Sequence, residues 1–324
     1  MLAIPGRRWA WGVLTGLLLS LAPVAPAAPI PPNDLPLPAR PGSVACTGDL
    51  DAAPRPPVLL VPGTGLTPRE NWAPTYLPVL RHRGHAVCLV RLPAFGTLDV
   101  QRNITYVAAA IRAMGQRSER RISVIGHSQG AYLPRAALRT WPELARHVAD
   151  VVGVAGVYDR GSTELVRRCV ERCLPVLHQL ATGSELLRSI ARLPLPSGPS
   201  YTSIGARGDL TVTPQPAANR QPGTTSLFVQ DVCPGHVVPE PQHAMIIGDA
   251  VALALVLDAI DHRGTAYVPR ISRLTCLAQQ YPEFDEDAFL GTAVTARGRR
   301  LAAPVPHEPV VWCRYRPGCT PRHR

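Results

Sequence analysis

Short apolar runs alternate along this chain with segments whose apolar residues recur at helical spacing. The apolar runs end at turn residues and predict buried strands at 58–61, 85–92, 122–125, 148–157, 201–206 and 226–232. The helical spacing predicts helices between them at 71–83, 104–114, 131–141 and 244–260. Apolar strands that alternate with helices are typical of a parallel sheet covered on both faces. The pattern therefore predicts an α/β fold with a mostly parallel central sheet flanked by helices.

The first residues have the pattern of an export signal. Arg7 and Arg8 precede an apolar stretch at 9–21, and small residues follow it up to Ala27. This order predicts a signal peptide over 1–27 with cleavage after Ala27. An uncleaved anchor and a twin-arginine signal are the alternatives, although the apolar stretch is short for a membrane span. We expect a secreted, bacterial extracellular protein with no stable membrane span after cleavage.

A candidate nucleophile follows the third predicted strand. The sequence GHSQG at 126–130 comes directly after strand 122–125 and precedes a predicted helix. A G-x-S-x-G motif between a strand and a helix is typical of a sharp turn that exposes the serine hydroxyl above the sheet. Its glycines leave space where the turn is too tight for a Cβ atom. We predict that Ser128 is a nucleophile, and a plain glycine-rich loop is the alternative.

The predicted nucleophile needs an acidic partner further along the chain. A histidine must take the serine proton, and a carboxylate must orient that histidine. With this motif the acid and then the histidine follow the serine in sequence. Asp209, three residues beyond strand 201–206, is the predicted acid. Asp231 and Asp159, which follow or end other predicted strands, are the alternatives, and each would otherwise be a turn or helix-capping residue.

Two histidines lie between the last predicted strand and the long predicted helix. His243 stands at the start of that helix, which would anchor its ring, and is the predicted base. His236 is the alternative. His127 adjoins the serine, but neighbouring side chains on such a turn point apart, so we predict a packing or hydrogen-bonding role for it.

An oxyanion hole is predicted from two segments. The tetrahedral intermediate of acyl transfer needs preorganised N–H donors. The backbone N–H of Gln129, directly after the serine, is predicted to be one of them. The loop at 62–65, after strand 58–61, is predicted to supply the other through Thr64, whose hydroxyl is a further candidate donor. A plain glycine turn is the alternative for this loop.

Several short motifs occur in the same order as in one known family. They are VLLVPGTG at 58–65, Asn71-Trp72, Cys88 within a strand, SQG at the serine, and Cys233 ahead of the histidines. From about Cys46 to Cys276 the chain resembles the Candida antarctica lipase B family of secreted α/β hydrolases. The resemblance implies an α/β-hydrolase fold.

The resemblance also implies functional residues. The family's nucleophile falls on Ser128, its acid on Asp209 and its base on His243. Its oxyanion donors fall on Thr64 and Gln129. One departure is that the best-known member has threonine in place of the first glycine of GHSQG.

The domain organisation follows from composition and resemblance together. We predict a signal peptide at 1–27, a proline-rich N-terminal arm at 28–57, a catalytic domain at 58–276 and a C-terminal extension at 277–324 packed on the same domain. Apolar positions at about 160–195 predict a helical cap over an acyl or alcohol pocket, and a helix that covers the core is the alternative. An aspartate that the resemblance implies near Val157 is absent or displaced to Asp159, which would alter the polarity of the acyl pocket.

Eight cysteines in a chain with an export signal predict disulfides. The residues alone leave the pairing open. The resemblance implies the bridges Cys46–Cys88, Cys233–Cys276 and Cys313–Cys319, which leaves Cys169 and Cys173 for each other. Because the sequence has no CxxC pair, we expect no metal site, and we also expect no cofactor.

Charge changes this picture little. All 34 basic residues are Arg, and with 23 acidic residues the net charge is +11. Removal of residues 1–27, with two Arg and no acid, lowers it to +9. Aromatic residues make up only 5% of the chain, so nucleic-acid binding by base stacking is not expected. We interpret the arginines as a solvated surface, with attraction to anionic interfaces or polymers as the alternative.

The residues together predict a secreted serine carboxylic-ester hydrolase, a lipase or esterase that forms an acyl-enzyme. We expect a lipid or small ester as substrate, a lipid–water interface as a further partner, and a monomer. Two alternatives remain open. One is an acyltransferase with the same residues, and the other is a non-catalytic secreted binding protein on a hydrolase scaffold.

Overall fold

The computed structural model describes residues 43–295 and 299–315. The chain divides into two compact units, Met1–Leu35 and Pro36–Arg324, and all described residues belong to the second. The predicted signal peptide at 1–27 lies outside the described residues. The predicted arm lies outside them as far as residue 42.

A seven-stranded sheet forms the centre of the second unit, in the strand order β1-β3-β2-β4-β5-β6-β7. The strands are β1 Val44–Thr47, β2 Arg55–Val61, β3 His85–Val90, β4 Ile122–His127, β5 Val148–Val154, β6 Ser200–Gly205 and β7 Thr225–Phe228. Strand β1 pairs antiparallel with β3, and the other neighbours run parallel. The predicted mostly parallel sheet is confirmed.

Helices cover both faces of this sheet. They are α1 Pro68–Trp72, α2 Tyr76–His82, α3 Val100–Arg117, α4 Gln129–Thr140, α5 Thr163–Arg168, α6 Pro175–Leu180, α7 Glu185–Ala191, α8 Val229–Val232, α9 Gln242–Met245, α10 Ala250–Asp261 and α11 Glu286–Thr295. Successive residues of a strand point to opposite faces. In β2, Leu59 and Val61 pack with α3 and α4, whereas Val58 and Leu60 pack with α2 and α10. None of the helices in the described part of the chain has the length and apolarity to cross a membrane.

The boundaries of some predicted elements are wrong. The predicted helix at 71–83 is two helices, which Pro74 and Thr75 separate. The predicted single helix at 244–260 is broken at Asp249, whose carboxylate accepts hydrogen bonds from the N–H groups of Val251 and Ala252 and so begins α10. The predicted strand at 226–232 ends at Phe228, and α8 follows.

One strand lies inside the predicted arm, and a second begins there. Strand β1 occupies Val44–Thr47, and β2 begins at Arg55 rather than at 58. The register places Cys46 opposite Cys88, and a disulfide joins these two residues. Because this segment is rich in proline, it was predicted as an extended arm, and the edge strand β1 was not predicted.

Helices α5, α6 and α7 occupy the segment predicted as a cap. Their residues Leu186 and Leu187 are fully buried and belong to the same apolar core as α3 and α4. The carboxylate of Glu308 accepts hydrogen bonds from Ser184 Oγ and from the backbone N–H groups of Glu185 and Leu186, at 2.7–3.0 Å. A segment from the C-terminal region therefore satisfies the free N–H groups at the start of α7.

Candidate active site

Ser128 lies in a tight turn between β4 and α4. Its backbone adopts φ 56° and ψ −123°, a left-handed conformation that costs energy for a residue with a side chain. A Cβ atom at Gly126 would lie 1.9 Å from the Gly130 carbonyl oxygen, and one at Gly130 would lie 2.2 Å from the Val61 carbonyl oxygen. Only glycine fits at both positions, and the turn lifts Ser128 to a partly exposed place at the edge of the sheet.

The structure brings Ser128, His243 and Asp209 together. Nε2 of His243 lies 2.9 Å from Ser128 Oγ, and Nδ1 of the same ring lies 2.8 Å from Asp209 Oδ2. The imidazole thus bridges the hydroxyl and the carboxylate, both within hydrogen-bond distance. Asp209 is buried, with its side chain 1% exposed, whereas the ring of His243 is 14% exposed.

The carboxylate of Asp209 is held in its ionised form. Its Oδ1 accepts hydrogen bonds from the N–H groups of Thr211 and Val212, at 2.7 and 2.9 Å. Burial raises the pKa of Asp209, but the bond from His243 and the two backbone bonds lower it by more, so the pKa lies below its usual range. A negative charge therefore faces Nδ1 of His243.

The alternative acids have other partners. Asp231 pairs with Arg207 at 2.6 Å and accepts a hydrogen bond from the backbone N–H of Phe228 at the start of α8. Asp159 pairs with Arg139 at 2.9 Å. Neither carboxylate is brought to the histidine that contacts Ser128.

His236, the alternative base, forms a second histidine–carboxylate pair. Its Nε2 lies 2.5 Å from Oδ2 of Asp249, and both side chains are buried. The two residues stand at opposite ends of the segment that carries His243. The pair joins the two ends of this segment and does not contact Ser128.

His127 contacts the backbone of the segment that carries His243. Its Nε2 lies 3.0 Å from the carbonyl oxygen of His243. A carbonyl oxygen only accepts, so Nε2 of His127 carries the proton. Burial, and after it the neighbouring His243, lower the pKa of His127 to about 4. A neutral ring therefore holds the backbone of His243.

The loop after β2 lies against the serine turn. A Cβ atom at Gly63 would be 3.4 Å from Ser128 Cβ and 3.1 Å from His127 Nδ1. The N–H of Gly63 donates to Asn71 Oδ1 at 2.7 Å, which anchors the loop to α1. Thr64, the next residue, is partly exposed.

The side chain of Gln129 connects this loop to α3. Its Nε2 donates to Thr64 Oγ1 at 2.8 Å and to the Gly96 carbonyl oxygen at 2.9 Å. Its Oε1 accepts from Asn103 Nδ2 at 2.7 Å. The sequence reasoning missed Asn103, whose only signal is a polar residue on the buried face of an amphipathic helix.

Arg299 is a second residue that the sequence reasoning missed. Its Nη1 donates to the Gly65 carbonyl oxygen at 2.6 Å, and its Nη2 pairs with Glu70. The guanidinium also lies 4.9 Å from the centre of the Phe95 ring. The Phe95 carbonyl oxygen in turn accepts from the Gly65 N–H at 2.8 Å. Arg299 thus holds the loop of Thr64 from the outside.

Three disulfides are present among the described residues: Cys46–Cys88, Cys169–Cys173 and Cys233–Cys276. The predicted bridge Cys313–Cys319 involves Cys319, which lies outside the described residues. His178 is close enough to Cys169 and Cys173 for shared metal binding. However, the two sulfur atoms are joined in a disulfide. His178 Nε2 lies 2.9 Å from the Val305 carbonyl oxygen, so this nitrogen has a protein partner.

A family model described as the alpha/beta hydrolase family matches residues 58–315. This match covers most of the chain, and the protein therefore belongs to the alpha/beta hydrolase family.

Among curated proteins, lipase B of Pseudozyma antarctica is similar to this chain. It is 27% identical over 187 residues, which cover 55% of this chain and 55% of that protein. The chain thus spans about half the length of this curated relative. The similarity confirms the resemblance to the lipase B family that the motifs indicated.

Two solved structures are also similar. Lipase B of Aspergillus fumigatus matches with a TM-score of 0.73 at 22% identity, over 84% of this chain and 70% of that chain. Mature lipase BlEst2 of Bacillus licheniformis matches with a TM-score of 0.50 at 16% identity, over 64% of this chain and 94% of that chain. At these identities the two structures establish the fold.

Proposed function

We propose that the protein is a serine carboxylic-ester hydrolase, a lipase or esterase. The observation that carries this proposal is the continuous hydrogen-bonded line from Asp209 through His243 to Ser128. A serine, a histidine and an ionised carboxylate in this arrangement form a nucleophile, its base and the group that orients the base.

The proposed reaction begins with attack of Ser128 Oγ on the ester carbonyl carbon. His243 Nε2 takes the hydroxyl proton as the bond forms, and Asp209 stabilises the resulting imidazolium. The strained turn supports this step because it presents the hydroxyl at the partly exposed edge of the sheet. The base is supported by the neutral ring of His127, which holds its backbone.

The negative charge of the tetrahedral intermediate needs donors beside Ser128. We assign them to the N–H of Gln129, at the first turn of α4, and to the N–H and hydroxyl of Thr64. Collapse of the intermediate releases the alcohol, which takes the proton from His243. Water activated by the same ring then attacks the acyl-enzyme, and the carboxylic acid leaves.

A lipid or small ester is the proposed substrate, in keeping with relatives that are named as lipases. We also propose that the protein is secreted. The predicted signal peptide at 1–27 and the three disulfides support this location, since disulfides persist in oxidising compartments.

The test is hydrolysis of p-nitrophenyl esters of graded chain length by the wild type and by Ser128→Ala. We expect turnover in the wild type and a loss of about 10⁴-fold or more in the variant, with the thermal unfolding temperature preserved. A fluorophosphonate should label Ser128, as read by peptide mass spectrometry. An inactive, unlabelled wild type would support the binding-protein alternative. Ester products formed with a competing alcohol would support the acyltransferase.

A further inference from the structure

A backbone carbonyl fixes the orientation of two buried amides next to the proposed oxyanion hole. The Gly96 carbonyl oxygen lies 3.0 Å from Asn103 Nδ2 and 2.9 Å from Gln129 Nε2. A carbonyl oxygen only accepts hydrogen bonds, so both side chains must turn their NH₂ groups toward it. Neither Asn103 nor Gln129 is exposed to solvent, and water therefore does not compete for these bonds.

The remaining N–H groups of the two amides then have fixed directions. The second N–H of Asn103 Nδ2 donates to Gln129 Oε1 at 2.7 Å. The second N–H of Gln129 Nε2 donates to Thr64 Oγ1 at 2.8 Å. All four amide hydrogens are used, and the chain of bonds runs in one direction, from Asn103 to Thr64.

This direction determines what the Thr64 hydroxyl can do. A hydroxyl has one hydrogen to donate and two lone pairs that accept. Because Thr64 Oγ1 accepts from Gln129, its own hydrogen is left for another acceptor. If the Gln129 amide were reversed, its Oε1 would face Thr64 and take that hydrogen.

We propose that Asn103 is a positioning residue, which together with the Gly96 carbonyl orients the Gln129 amide so that the Thr64 hydroxyl donates to the oxyanion. This inference rests on the proposed function, in which Thr64 binds the oxyanion. Asn103 touches neither the substrate nor the reacting atoms. Asn103 acts indirectly, through the hydrogen bond that it donates to Gln129 and the hydrogen bond that Gln129 donates to Thr64.

The local backbone holds the Gly96 carbonyl in place. A 3₁₀ turn at Pro93–Gly96 contains left-handed conformations at Ala94, Phe95 and Gly96. A Cβ atom at Gly96 would lie 3.1 Å from Gln129 Nε2, so the glycine allows the close approach of the amide. Asn103 lies in α3, a helix of 18 residues with a buried face, which fixes its Cα relative to this turn.

The test is a double-mutant cycle with Asn103→Asp and Thr64→Val. When ionised, the carboxylate that Asn103→Asp introduces only accepts. It draws the Gln129 NH₂ group away from the Gly96 carbonyl oxygen, since a charge-assisted hydrogen bond replaces a neutral one, and Oε1 then faces Thr64. Loss of one oxyanion donor costs about 10²-fold to 10³-fold in kcat. We expect Asn103→Asp to lower kcat by about 10²-fold, with KM within about twofold of the wild type, and Thr64→Val to do the same. In the Thr64→Val background, Asn103→Asp should lower kcat by less than about threefold.

A second variant guards against misfolding, because a carboxylate at this position would be buried beside the Gly96 carbonyl. Asn103→Ala adds no charge, and we expect it to lower kcat by about tenfold. In the Thr64→Val background, the same substitution should leave kcat unchanged. Asn219→Ala is the matched control, since Asn219 is a buried asparagine whose Oδ1 accepts from Ser203 Oγ at 2.8 Å. It should change the unfolding temperature without a comparable change in kcat.

The outcomes separate the two proposals. An inactive wild type overturns the proposed function. An unchanged kcat in Thr64→Val overturns the hydroxyl as an oxyanion donor. If Thr64→Val lowers kcat but the Asn103 variants lose the same factor in both backgrounds, the orienting role of Asn103 is wrong and the proposed function stands.

Discussion

Nε2 of His127 donates to the carbonyl oxygen of His243 across 3.0 Å. The residue before the proposed nucleophile therefore supports the backbone of the proposed base. Burial keeps this ring neutral by lowering its pKa to about 4. The burial of a neutral imidazole links the stability of the fold to pH.

The stability of the protein should fall as the pH drops from about 6.5 to about 4. In this window an unfolded histidine, with an ordinary pKa near 6.5, binds a proton that the folded His127 excludes. Stability thus rises with pH across the window, and the contribution of His127 is at most about 3 kcal/mol. Urea unfolding at several pH values should show a flatter dependence in His127→Gln. His82→Gln, at an exposed position, is the control, and an equal slope in both variants would contradict this prediction.

The two histidine–carboxylate pairs should respond differently to mutation. His243→Ala should lower kcat by about 10³-fold or more, because it removes the proposed base. His236→Ala should leave kcat within a few fold of the wild type. It should instead cost about 1–3 kcal/mol of stability, because Oδ2 of the buried Asp249 loses its partner. Steady-state kinetics and urea unfolding of both variants test the assignment, which the reverse pattern would overturn.

Arg299→Gln should loosen the loop of Thr64. The substitution removes the charge that pairs with Glu70 and stacks on Phe95. We expect kcat to fall by about tenfold, since small displacements of donors are costly in catalysis, with KM nearly unchanged. Arg300→Gln, at the exposed neighbouring position, should retain full activity. Equal activity of Arg299→Gln and the wild type would show that this contact does not support the reaction.

Leu186→Ala should act on stability rather than on substrate choice. Leu186 is fully buried in the core beside α4, so truncation should cost about 2–5 kcal/mol of unfolding free energy. The order of preference among ester chain lengths should remain that of the wild type. A changed order would place this side chain at the substrate, as a cap over the acyl pocket requires.

Local patterns predicted the parts of the site that depend on neighbours in sequence. The turn at Ser128 was predictable because two glycines, a preceding apolar strand and a following helix all lie within a short stretch. Asp209 and His243 were predictable from their places beyond strand ends, together with the resemblance. The same reasoning placed Thr64 on the loop after β2.

Long-range contacts were outside the reach of these patterns. Arg299 contacts Gly65 across 234 positions, and no local signal distinguishes it from other arginines of the chain. The break at Asp249 was missed because the apolar residues on both sides suggested one helix. Asp249 is nevertheless a typical helix-capping residue, and a Cβ atom at Gly248 before it would lie 2.3 Å from Phe284. The local cap at Asp249 and the close packing of Phe284 against Gly248 therefore act together at the start of α10.

The contact between Arg299 and the loop of Thr64 has a consequence for the order in which the site is completed during synthesis. A ribosome adds Ser128, Asp209 and His243 before it adds Arg299. A nascent chain therefore contains the proposed nucleophile, acid and base while the loop of the proposed oxyanion hole still lacks its contact with Arg299. We therefore expect full activity only after the segment with Arg299 has made its contacts with Gly65 and Glu70.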